Sequence, residues 1–203
     1  MARGCKQEEG RMRWITNLTV VPVIVLFVFT IMGRAEDLPG VSPEAVADYI
    51  HAVIEAHRAF YTEDVVDRLK EQGGATADGN WRTQKNTLPL PVQVVTETSA
   101  KFSTRVTGLR YRLISLWPIN PKNSPRDKLD RNSLEAMHER PEMTITSTVK
   151  IDGHTYFHAV YADMATRQSC VDCHNAHPHS PRKDFQLGEI MGGLIIEFPL
   201  GKR

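Results

Sequence analysis

The chain has 203 residues, 41% of them hydrophobic, and its 25 Lys and Arg nearly balance its 24 Asp and Glu, leaving a formal net charge of +1. That length and apolar content suit one domain with its own core, and the near-neutral balance excludes a nucleic-acid surface driven by bulk charge. With 3 cysteines the chain is no disulfide scaffold, and it has neither an internal repeat nor a long low-complexity tract.

The chain begins with Arg3, Lys6, Arg11 and Arg13, and Leu18 to Met32 is apolar apart from Thr19, Pro22 and Thr30. A basic start followed by an apolar run is the pattern of an export signal, and Gly33-Arg34-Ala35 offers small residues for cleavage after Ala35. Counted over residues 14–33, the same stretch is long enough to remain as a membrane anchor where cleavage fails. Basic residues ahead of it keep the amino terminus inside, so both outcomes put the rest of the chain in the periplasm or on the outer face of the cytoplasmic membrane. The expected division is residues 1–35 as signal peptide or anchor and residues 36–203 as one domain. Cys5 falls in the first part, so the exported part holds only Cys170 and Cys173.

Leu38 to Pro43 reads as a linker, with Ser42 as the N-cap and Pro43 in the first turn of a long helix. Val46, Ile50, Val53, Ile54, His57 and Tyr61 recur at spacings of three and four and define its expected buried stripe. Asp48, His51, Glu55 and Arg58 fall mostly off that stripe. The helix is expected to reach about Leu69 and dissolve at Gly73-Gly74, followed by a polar surface loop over residues 71–86. Leu88-Pro89-Leu90-Pro91 leads into a second helix, Val92 to Phe102.

Leu109 to Trp117 has strand character and ends at Pro118. After a turn-rich stretch, Ser124-Pro125-Arg126-Asp127 resembles a capped helix start, with the helix running to about Glu139, before Pro141. Alternation from Met143 to Ile151 then marks a strand with one face on a core, and Asp152-Gly153 is a two-residue hairpin turn into a return strand from His154 to Tyr161. A loop over about Met164 to Leu187 precedes a last strand, Glu189 to Phe198, in which Gly192 and Gly193 mark a bulge, a close approach to a cofactor, or tight packing. Helices combined with antiparallel strands give an α+β fold.

Within that loop lies Cys170-Val171-Asp172-Cys173-His174, the C-x-x-C-H spacing of c-type haem attachment, which arises by chance about twice in a thousand chains of this composition. Two cysteines three apart can each form a thioether to a porphyrin vinyl group, and the adjoining His174 can turn under the ring to ligate iron. A dithiol redox pair expects a βαβ context and leaves His174 without a role. A structural zinc site needs four ligands, for which His177 and His179 would have to complete a crowded set without a second cysteine pair. A disulfide closing so short a loop is strained. For the iron ligand opposite His174, His57 on the expected apolar stripe is the first candidate; His158, Met164, His138 or no protein ligand are the others.

Phe60-Tyr61-Thr62 with Val65-Val66, Leu88-Pro89, Tyr111-Arg112 before the Asn120-Pro121-Lys122-Asn123 turn, the pentapeptide with Ser180-Pro181, and Gly188 before the last strand occur in an order that resembles the bacterial c-type haem PAS-like domain family. The match covers nearly all of residues 42–199. The resemblance implies a PAS-like antiparallel sheet flanked by helices, with the long helix at the amino-terminal end and haem c held covalently beside the sheet. It carries thioether roles to Cys170 and Cys173 and the proximal-ligand role to His174. Unlike sensor members, the chain ends soon after its last strand, so a stand-alone member is expected, working with a separate redox or signalling partner. The expected function is one-electron transfer or redox sensing by bound haem. The alternative is a gas or small-molecule sensing module acting through a separate partner. No catalytic constellation is evident, and no enzyme activity is expected.

Overall fold

The computed structural model describes residues 40–201. The apolar segment at residues 14–33, its cleavage site and Cys5 lie outside the described residues. No helix among the described residues is long and apolar enough to cross a membrane.

Helix α1 (Pro43–Phe60) starts as the sequence dictates: the Ser42 hydroxyl accepts from the Ala45 N–H at 3.1 Å, and Pro43 occupies the first turn, where no N–H is needed. It continues through a π-helical turn, Tyr61–Asp67, into the short α2 (Arg68–Glu71), and the chain reverses at Gly73 with φ of 68°. The loop beyond contains two short parallel strands, β1 (Thr76–Ala77) and β2 (Thr87–Leu88). Helix α3 (Pro91–Ser103) follows, its Gln93 side chain accepting from the Leu90 N–H at 2.9 Å.

The remaining strands form one antiparallel sheet in the order β3-β6-β5-β4: β3 (Arg110–Ile114), β4 (Ile145–Ile151), β5 (His154–Met164) and β6 (Ile190–Pro199). Asp152 and Gly153 both have positive φ, 49° and 79°, as a two-residue hairpin requires to match strand twist. Helix α4 (Lys128–Glu139) begins three residues later than Ser124 suggests; its cap is Asp127, whose carboxylate accepts from the Asp130 N–H at 2.9 Å.

Strand alternation splits the core between the two sheet faces. Leu113, Phe157, Ala159, Tyr161, Leu194 and Ile196 pack with Ala47 and Ile54 of α1 and Val95 of α3. On the other face, Ile114, Val160 and Ile195 pack with Leu134 and Met137 of α4. The two glycines of β6 serve this packing. A Cβ on Gly192 would lie 2.3 Å from the Ile114 carbonyl oxygen, and one on Gly193 would lie 2.9 Å from the Leu134 side chain. The β5–β6 register slips between Asp163, which pairs with Gly192, and Met164, which pairs with Ile190.

Candidate functional site

The pentapeptide lies on α5 (Gln168–Ala176), a nine-residue helix inserted between the two central strands, where the sequence suggested a loop. Its base is pinned by paired backbone bonds of 2.8 Å, Ala165 N–H to Glu189 carbonyl and Gly188 N–H to Ala165 carbonyl. Val171 turns inward onto Ala165, Phe185 and Met191, with Trp117 and Cys170 against the same cluster. Asn175 holds Phe185 by two bonds, donating to its carbonyl at 2.9 Å and accepting from its N–H at 3.0 Å. Phe185 in turn meets His174 edge to face, with ring centroids 5.9 Å apart at 88°.

Cys170 and Cys173 are free thiols, one half-buried and the other exposed. Three residues apart on a helix, they share a face. Burial pushes the Cys170 thiol up, partly opposed by Arg58. A redox dithiol needs the reverse, a thiol whose pKa is lowered so that the thiolate can attack. Among the described residues no three His, Cys, Asp or Glu side chains are gathered to hold a metal ion, so Cys170, Cys173, His177 and His179 do not assemble the zinc set weighed from sequence. His174 is half-buried, and burial lowers its pKa and favours the neutral imidazole that can ligate a metal. Its Nδ1 is buried and has no hydrogen-bond partner.

The C-terminal part of α1 covers this end of β5. Arg58 donates to Asp163 Oδ1 at 2.5 Å and to Glu55 at 3.4 Å. Burial opposes the guanidinium charge, and Asp163 with Glu55 more than restores it. In the π-helical turn, Asp67 accepts from Arg167 Nε and Ser169 Oγ, both at 3.2 Å, tying that turn to the start of α5. A cavity of about 490 Å³ opens there, lined by Asp67, Lys70, Arg167, Ser169 and Leu187 among others. Two thiols, one imidazole, an apolar pad and an ion pair are therefore gathered around one helix. Cys170 and Cys173 could form thioethers to a cofactor, and the His174 imidazole could ligate a metal.

The other candidate iron ligands are dispersed. His57 is exposed on α1, as is Val53 at 56%, although Ile54 of the same expected stripe is buried, so the stripe is only partly the buried one. The buried row runs through Ala47, Ile54 and Thr62, with His51 and Arg58 turned toward the end of β5. His158 lies on the α4 face of the sheet, 2.9 Å from Glu197 through Nδ1. His138 meets Trp117 edge to face, and Met164 packs beside the α4 cluster. Sequence reading missed Arg58, Asp163 and His51; the signal was a carboxylate closing an apolar strand and two polar residues seven apart on one helix.

No curated protein matches the chain. Its structure is similar to the "Crystal structure of the cyanobacterial heme-protein Tll0287", with a TM-score of 0.52, 18% sequence identity, and coverage of 80% of this chain and 99% of that one. At that identity the likeness speaks for the fold. A family model described as Tll0287-like matches residues 41–199, nearly the whole described region. The chain belongs to the Tll0287-like family.

Proposed function

We propose that this chain is an exported monohaem c-type protein on a PAS-like scaffold, which carries or senses single electrons. Cys170 and Cys173 would hold the porphyrin through thioethers, and His174 would ligate the iron. The observation that carries this reading is the state of these three side chains. Both thiols are free on one helical face, and the adjoining imidazole is kept neutral by burial, with a ring nitrogen that lacks a partner. The haem supplies a one-electron couple, whose potential responds to axial ligation, burial and nearby charge. The protein contributes fixed positions: Val171 and Phe185 hold α5, and Asn175 holds Phe185. The Arg58–Asp163 pair places a compensated charge beside the motif. A similar protein described as a haem protein supports the cofactor assignment.

The export pattern of the first 35 residues supports a periplasmic location or a membrane-anchored one, facing outward, with a separate redox or signalling protein as partner. The test is an absorption spectrum of the full chain matured with haem attachment machinery, oxidised and reduced, with and without carbon monoxide. Sharp low-spin bands indifferent to the gas, with a reversible one-electron titration, are expected. A spectrum that shifts on adding carbon monoxide would instead support gas sensing at an open site.

A further inference from the structure

We infer that His51 is the second axial ligand, opposite His174; this inference rests on the haem reading above. His51 lies near the middle of α1, and its ring is stacked flat on Tyr161, with centroids 4.0 Å apart and planes within 7°. Tyr161 is itself fixed, because its hydroxyl donates to Asp48 at 2.8 Å and its ring is buried in the core. The stack therefore sets the plane of the imidazole before any ligand arrives, as axial histidines require of their surroundings. Nε2 of His51 is buried and has no hydrogen-bond partner. A buried ring nitrogen without a partner is costly unless something absent from the protein itself completes it.

His51 and His174 belong to the two helices that meet at the end of β5. His51 stacks on Tyr161 and Arg58 donates to Asp163, two residues further along the same face of β5, just before the chain enters α5. Asp67, on the turn that continues α1, accepts from Arg167 and Ser169 at the start of α5, so the helical segment that carries His51 is joined to the helix that carries His174. Of the other candidates named from the sequence, His158 holds Glu197 through Nδ1 on the α4 face of the sheet, away from α1, although its Nε2 is also buried without a partner; His138 lies against Trp117 and His57 faces solvent. Two firm nitrogen ligands would make a bound haem iron six-coordinate, which would suit electron transfer and leave no open position for a gas.

The test compares the wild-type full chain with His51→Ala, His51→Met and His57→Ala, each scored for covalent haem on a denaturing gel and for spin state by absorption and electron paramagnetic resonance. The wild type should be low-spin and His57→Ala unchanged. His51→Ala should keep its covalent haem but become high-spin and bind carbon monoxide. His51→Met should stay six-coordinate with a raised potential, and it carries the test where the alanine variant fails to fold. A His51→Ala or His51→Met protein with the wild-type spectrum and potential overturns the assignment, as does a wild type that already binds carbon monoxide. Absence of covalent haem from the wild type would overturn the haem reading itself, a result that the gel separates from a wrong ligand.

Discussion

Glu197 is buried under the α4 face of the sheet, with His158 Nδ1 on one carboxylate oxygen at 2.9 Å and Arg110 Nε on the other at 2.6 Å. Burial alone would raise its pKa, and the bonds from His158 and Arg110 reverse that, bringing it from 4.5 to about 2. A carboxylate with a depressed folded-state pKa contributes stability above its unfolded value and loses it as pH falls toward the folded one. The contribution, on the order of 3 kcal/mol, should be complete above about pH 5 and fade between pH 4.5 and about 2. Glu197→Gln should therefore be less stable near neutrality and show a flatter acid limb in denaturant melts across that range; an unaltered acid limb would contradict the assignment. At the site, Asp163→Ala removes the close partner of a largely buried Arg58 and should cost about 2 kcal/mol, read as a lower denaturant midpoint. The pentapeptide was legible in the sequence because residue types and spacing are themselves the signal. The face of α1 was legible only in part: Ile54 is buried as the stripe expects, but Val53 and His57 on that stripe are exposed, while Ala47 and His51, off it, turn inward.

Among the elements, helix starts and hairpin turns were the most legible, because each depends on a few local atoms. Ser42 and Asp152-Gly153 behave as their residue types dictate. The start of α4 was placed three residues early, and the Asp127 carboxylate that reaches the Asp130 N–H fixes it. Asp127→Ala should cost about 1 kcal/mol and Ser124→Ala much less, measured as shifts in thermal midpoint. Equal effects would contradict the observed start. The glycines of β6 had three readings in the sequence, and only the neighbouring strand distinguishes them. Gly192→Ala would drive a methyl group into the Ile114 carbonyl and force β3 from β6, at a cost of about 3 kcal/mol. A variant within 0.5 kcal/mol of the wild type would show that the strands can part without penalty. The helical state of the pentapeptide was hidden, because its stability comes from Val171, Phe185 and Met191 packing together rather than from local propensity.

At the scale of the whole molecule, the α+β class followed from alternating apolar periods, but the strand order β3-β6-β5-β4 did not. β6 pairs with β3 across about eighty residues, and long-range pairing leaves no local signal in the sequence. That order explains how the site is held. The pentapeptide departs from β5 and returns to β6, the two central strands, so its helix is anchored at both ends in the most buried part of the sheet. The first helix then closes over the same end through Arg58, Asp163 and the Tyr161–His51 stack. The measurement that tests the account most directly is haem staining of the full chain after denaturing electrophoresis, comparing the wild type with the Cys170→Ala, Cys173→Ala double variant. Stain that stays with the wild-type band and disappears from the double variant is the predicted result. Stain retained by the double variant, or absent from a properly matured wild type, would contradict the assignment of these two thiols.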